Sequence, residues 1–129
     1  MITLYEILIN EANTSIESVI KDAIQNKRVL SLYYKGDKEE AGGWRKGVYP
    51  LVLATYKGKK YVRAWQESGK TLSGVPEWKL FRLDRIRNWN ASSSKVLTAP
   101  PDSRWNPNGD NWQTFGGKGF DKILKIAKF

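Results

Sequence analysis

At 129 residues with a net charge of +9 and a pI near 9.8, the chain is long enough for one packed core and basic enough to attract polyanions. It has no cysteine and no histidine, which excludes disulfides and thiolate or imidazole metal sites and removes the commonest general base and the best nucleophile. No apolar run approaches the roughly eighteen residues of a membrane span, and Met1–Glu6 lacks the basic start of a signal peptide; a soluble cytoplasmic protein without a cofactor is expected.

Apolar residues at Ile2, Leu4, Ile7, Leu8 and Ile9 fit a strand or a short helix. Thr14 and Glu17 have the spacing of a capping box. Behind them Ile16, Val19, Ile20, Ala23 and Ile24 fall on one helical face, which predicts a packing helix from about Ser15 to Asn26. Val29–Tyr34 reads as a strand, Lys35-Gly36-Asp37 as a turn, and Asp37–Gly43 as a solvated hairpin tip. A second strand is predicted over Trp44–Thr55, with Pro50 marking an edge or a bulge, and Tyr56–Lys59 is a turn. In Lys60–Trp65 the alternation places Tyr61, Arg63 and Trp65 on one face and Val62 and Ala64 on the other. An outward row of ring, guanidinium and ring is unlike an ordinary solvent face.

Gln66–Pro76 is a polar loop, followed by a strand from Trp78 to about Leu83 and the run Asp84-Arg85-Ile86. There Phe81, Leu83 and Arg85 share one face, Arg82 and Asp84 the other. Arg87–Ser94 is polar apart from Trp89, and Lys95–Thr98 is predicted to be a closing strand. Pro100-Pro101 divides a body, residues 1–99, from an extension, residues 100–129. The extension is rich in Asn, Gly and Pro yet keeps Trp105, Trp112 and Phe115, and is expected to dock on the body or on a partner. Phe120, Ile123, Leu124 and Ala127 have helical spacing and predict a short C-terminal helix. Gly116–Gly119 lacks the spacing of a phosphate-binding loop and reads as a turn. The class is mainly β with flanking helices (α+β): five short strands in a small barrel or strongly bent sheet.

Four segments carry a family resemblance. Ala23-Ile24 precedes a first strand ending in Tyr33 or Tyr34, and Val48–Leu53 is similar to a Val-x-Pro-x-x-Leu strand. Lys60-Tyr61-Val62 stands where a namesake Trp-Tyr-Leu tripeptide begins the third strand. Lys79–Ile86 looks like an Arg-x-Phe-Arg-Leu-Asp-Arg-Ile signature, the most specific of the four. In this order, over residues 16–90, the chain resembles the WYL domain family. It departs at Lys60 for Trp, at Val62 for Leu, at Lys79 for the first signature Arg, and at Lys46 for an Arg to which Arg45 is adjacent; lysine keeps the charge but lacks the bidentate fork. The resemblance implies an Sm-like five-stranded β-barrel with a helix beside it. It also implies a regulatory role in which a nucleotide or single-stranded nucleic acid is sensed by basic and aromatic residues, usually beside a helix-turn-helix domain. Too few residues precede the helix for a winged helix, so a stand-alone copy, such as a phage would carry into the host cytoplasm, is expected.

The function expected is therefore a non-catalytic module that binds single-stranded nucleic acid or a nucleotide. Rings would stack bases and cations would hold phosphates. The candidate residues are Tyr61, Arg63, Trp65, Lys79, Arg82 and Arg85, with Arg45 and Lys46 next. Asp84 is read as orienting Arg82 or Arg85. The bland alternative pairs these arginines internally with Asp84, Glu77 or Glu67. The functional alternative is a protein-interaction or self-assembling module, a homo-oligomer or a protein docked on a host regulator, using exposed strand edges or the aromatic extension.

Overall fold

In the computed structural model, residues 16–36, 42–67, 77–91, 93–107 and 119–129 are described. The helix α1 covers residues 16–26 and buries Ile20, Ala23 and Ile24 completely, the face its periodicity marks. It ends in a Schellman motif with a lysine where glycine is usual. Lys27 has φ 54°, the Arg28 N–H donates to the Ala23 carbonyl at 2.9 Å, and the Lys27 N–H to that of Ile24 at 3.3 Å. Thr14 and Ser15, where the capping box would start, lie outside the described residues.

Among the described residues six antiparallel strands follow: β1 (Leu30–Tyr34), β2 (Gly43–Tyr56), β3 (Lys59–Gln66), β4 (Glu77–Arg82), β5 (Ile86–Asn90) and β6 (Lys122–Ile126). They form one sheet in the order β4-β3-β2-β1-β5, with β6 also paired to β2, and a 3-10 turn (Leu83–Arg85) joins β4 to β5. The organiser is β2, whose 14 residues outrun any single neighbour on one edge. That edge pairs β1 up to Val48, then β6 from Val52 to Thr55, while β3 lines the other edge. Pro50 falls in the gap between the two partners, at a register shift against β3, where its missing N–H is tolerated. Gly47, at φ 64°, supplies the extra residue of a bulge against β1. The β2–β3 hairpin turns through Lys57 and Gly58, both with positive φ (48° and 78°), a type I′ turn whose twist suits a hairpin. Asp121, just before β6, accepts the Lys57 N–H at 2.7 Å and ties the extension to this tip.

The core gathers the α1 face with Leu30, Leu32, Val48, Leu51, Leu53, Val62, Ala64, Phe81, Leu83 and Ile86, and Ala127 joins it from the extension. Burying such a set is the main favourable term in folding.

Four expectations need correction. Among the described residues the sheet has six strands, not five, and is not closed into a barrel. The predicted C-terminal helix is the strand β6: its spacing suits a helix locally, but the unfilled edge of β2 at Val52–Thr55 recruits it. The fifth strand of the main order is Ile86–Asn90, inside the stretch that reads as polar, because an edge strand needs only one buried side and exposes its charges. Lys95–Thr98 is no strand; Val96 makes a single bridge to Arg28.

Candidate functional site

Cross-strand partners share a face of a sheet. On β3 and β4 the pairs Tyr61–Arg82, Arg63–Leu80 and Trp65–Trp78 lie on one face, and Val62–Phe81 and Ala64–Lys79 on the other. Val62, Ala64 and Phe81 belong to the core, and Tyr61, Arg63, Trp65 and Arg82 form a row on the opposite face of the strands, where Arg63 is buried and Trp65 and Trp78 also pack against the core cluster. Lys59 stands two residues before Tyr61 and continues the row.

At the Tyr61 end the groups are charged and partly solvated. The Arg82 fork holds both oxygens of Asp84, Nε to Oδ1 at 2.7 Å and Nη2 to Oδ2 at 2.8 Å, and Lys59 Nζ lies 3.9 Å from Oδ2. The Asp84 carboxyl sits below the ordinary aspartate value, mainly through the Arg82 hydrogen bonds, with Lys59 and Arg85 adding positive charge. Asp84 therefore orients Arg82. The Arg82 side chain is 25% exposed and Lys59 55%, so both remain open to water. Arg85 occupies the 3-10 turn beside them, and its carbonyl accepts the Lys35 N–H at 3.1 Å. Next to this end, a cavity of about 370 Å³ has Ile16 and Leu83 in its lining, with Glu17, Lys59, Lys60 and Asp84 as its charged members. Lys60 is held by Glu17 at 2.9 Å, a contact that leads the lowering of the Glu17 pKa.

At the Trp65 end the row is covered by the chain itself. Trp65 meets Trp78 edge-on at 5.6 Å, Trp105 of the extension stacks on Trp78 at 6.1 Å and 18°, and Phe129 meets Trp105 edge-on at 5.3 Å. The Trp78 Nε1–H donates to Asp102 Oδ1 at 3.0 Å. Asp102 also accepts the Arg104 backbone N–H at 2.8 Å and its guanidinium at 2.6 and 2.9 Å. Burial alone would raise the Asp102 carboxyl, but the donors from Arg104 and Trp78 outweigh it and hold the group low. Between the two ends Arg63 is 8% exposed, and burial pushes its guanidinium down to about 10.

Of the eight residues expected at the site, the structure thus brings Tyr61 and Arg82 side by side, with Arg85 near and Arg63 and Trp65 in the same row but covered. Lys79 is on the core side of β4, its ammonium paired with Glu77 and its side chain only 19% exposed. Arg45 is buried, its guanidinium 5.8 Å from the Tyr34 ring. Tyr34 in turn packs edge-on against Phe81, and its hydroxyl accepts the Arg82 N–H at 3.0 Å. Lys46 is exposed on β2. Sequence reasoning missed Lys59, Trp78, Asp102 and the role of Tyr34. Trp78 was findable, since Trp78, Leu80 and Arg82 alternate; Asp102 was not, because its contact depends on a chain reversal.

Among the described residues no three His, Cys, Asp or Glu side chains group to hold a metal, and no helix is long and apolar enough to cross a membrane. None of the curated proteins is a match to the chain. Among solved structures, Proteasome accessory factor B/C (PafBC) of Arthrobacter aurescens is similar, with 26% identity and a TM-score of 0.54. That likeness covers 72% of this chain and 14% of the other, so the present chain spans a small part of that protein's length. The sequence model of the WYL domain matches residues 16–91, from α1 through β5. More than half of the sequence, including the Tyr61–Arg82 pair, lies within that match, and the chain belongs to the WYL domain family.

Proposed function

We propose that this chain is a non-catalytic binding module of a regulatory kind that takes single-stranded nucleic acid, or a nucleotide as its smallest form, at the Tyr61 end of the outward face. The observation that carries this reading is the register pairing of Tyr61 with Arg82. It sets a flat ring beside a guanidinium that Asp84 holds in a fixed orientation, with Lys59 as a second cation. Rings stack bases and cations follow the backbone, and a net charge of +9 draws a polyanion in. The bidentate Asp84 contact resembles a phosphate contact in geometry, so an incoming phosphate competes for the same fork. With neither histidine nor cysteine in the chain, the groups gathered here suit holding a ligand better than transforming one.

Fluorescence anisotropy with labelled oligothymidylate over a salt series tests this. Arg82→Ala is expected to weaken binding about tenfold, the worth of one charge-assisted contact. It should also flatten the log–log salt slope by about 0.7. Unchanged affinity and slope would overturn the assignment.

A second reading, self-assembly, rests on β6. This strand pairs with β2 along one edge, and among the described residues no strand pairs with the other. Sedimentation over a concentration series decides it, since a monomer throughout removes that reading.

A further inference from the structure

We propose that the outer ring face of Trp78 is a base-stacking subsite of this same binding site, closed in the free protein by the chain's own Trp105. The inference rests on the reading given under Proposed function and extends it along the row. Trp78 and Arg82 are four residues apart on β4 and face the same way, about 13 Å at the rise of roughly 3.3 Å per residue. A strand of a few nucleotides anchored at Arg82 and running along β4 therefore reaches Trp78.

The manner in which Trp105 covers Trp78 points to a stand-in for a ligand. Tyr33–Trp44, Tyr34–Phe81, Trp65–Trp78 and Trp105–Phe129 all meet edge-on at 69–84°, whereas Trp105 lies on Trp78 almost parallel at 18°. Near-parallel stacking is how a base occupies an aromatic platform. Beside that ring, three residues earlier, Asp102 supplies an anion that takes the Trp78 indole N–H and the Arg104 guanidinium. The turn that presents them closes with the Trp105 N–H donating to the Asp102 carbonyl at 3.3 Å. A flat ring and an anion held together are the two features of a nucleotide.

Two observations make this cover displaceable. The segment lies beyond the family-matched residues 16–91, and its Trp105 stacks on Trp78 of β4 within them. Trp105 also borders a cavity of about 750 Å³, lined with Thr98, Pro100, Pro107, Ile126 and Phe129 among others. That space lets the indole leave Trp78 without leaving the protein.

The test compares a mononucleotide with a dodecanucleotide of thymidine, binding wild type, Trp105→Ala, Trp78→Ala with Trp105→Ala, and Arg82→Ala. Trp105→Ala is expected to tighten the dodecamer about tenfold, since stacking one base is worth that order, and to leave the mononucleotide unchanged. The double variant loses that gain. In wild type labelled with 5-fluorotryptophan, the Trp105 resonance, identified by its absence in Trp105→Phe, shifts on saturation with the dodecamer and not with the mononucleotide. This second readout decides even where Trp105→Ala does not fold: a Trp105 resonance unmoved at saturation overturns the proposal. So does a folded Trp105→Ala protein that binds the dodecamer no better than wild type. If Arg82→Ala weakens both probes while Trp105→Ala alters neither, the subsite alone falls. If no probe binds any of the proteins, both readings fall together.

Discussion

The two ends of the outward face of β3 and β4 are built on one ladder from similar residues, a ring on β3 opposite a large side chain on β4, yet they have different fates. At one end Tyr61 faces Arg82, with Lys59 and Asp84 still open to water. At the other Trp65 faces Trp78, and the extension stacks Trp105 on Trp78 and gives its indole N–H the Asp102 carboxylate. What differs is the cover, not the strands. Arg63, between the two, is buried, and burial pushes its guanidinium down to about 10, while the Arg82 fork holds Asp84 at a partly exposed position. Alternation in a strand decides which way a side chain points, and only the rest of the chain decides whether water or a ligand can reach it.

The largest test of this contrast is stability. Trp78→Ala removes the ring on which the tryptophan ladder turns and should cost about 3–5 kcal/mol in urea unfolding, as truncation of large aromatics does. Tyr61→Ala, half-buried beside a solvated ion pair, should cost about 1 kcal/mol, the middle of the range for single substitutions. Equal losses would erase the distinction between a covered end and an open one.

Acid sharpens the same comparison. Asp102 and Asp84 both have folded pKa values below their ordinary ones. A carboxyl depressed on folding adds stability that is fully present above its unfolded value, near 4, and is lost as the pH falls through its folded value. For these partly exposed pairs the sum is modest, up to about 1 kcal/mol each. The readout separates the ends, because Asp102 touches an indole and Asp84 does not. A tryptophan-emission step below about pH 4 is expected in wild type and in Asp84→Asn, and should be missing in Asp102→Asn. A step that survives Asp102→Asn would detach the ladder from that carboxylate.

Much of this was legible in the sequence, and the parts that were not share a cause. The α1 face, the four strands β1 to β4, the turn at Lys57-Gly58 and the placement of Tyr61, Arg63 and Trp65 on one strand face all follow from local periodicity or turn chemistry, whereas the burial of Arg63 does not. The strand β6 did not, since its spacing also suits a helix and only the length of β2 creates the edge it fills. Strand β5 was hidden because it exposes Arg87 and Asn88 and leans on β1 for its hydrogen bonds. At the site, Tyr61 and Arg82 were both expected as members, and Asp84 was given its orienting role; that the two stand opposite one another comes from the register of β3 and β4. The loss of Lys79 to Glu77 was not, because Trp78 to Phe81 is apolar at three of four positions and leaves its facing ambiguous.

The smallest effect concerns the tip of the β2–β3 hairpin, at the open end. Lys57 sits at φ 48° in a type I′ turn, where a lysine Cβ is crowded and asparagine is the preferred partner of a following glycine. Lys57→Asn should relieve that strain, against the loss of an ammonium lying 5.5 Å from the Tyr56 ring centroid, which at an exposed site is worth about 0.5 kcal/mol. The backbone N–H to Asp121 survives the change, so the tie to β6 is kept. A net gain of a few tenths of a kcal/mol in urea unfolding is expected, the scale of a surface substitution. The same variant then bounds the open end in space. If oligothymidylate affinity and salt slope are unchanged, the charged site stops at Lys59; if affinity falls and the slope flattens by about 0.7, a phosphate reaches the hairpin tip and the site extends past the end of β3 into the turn.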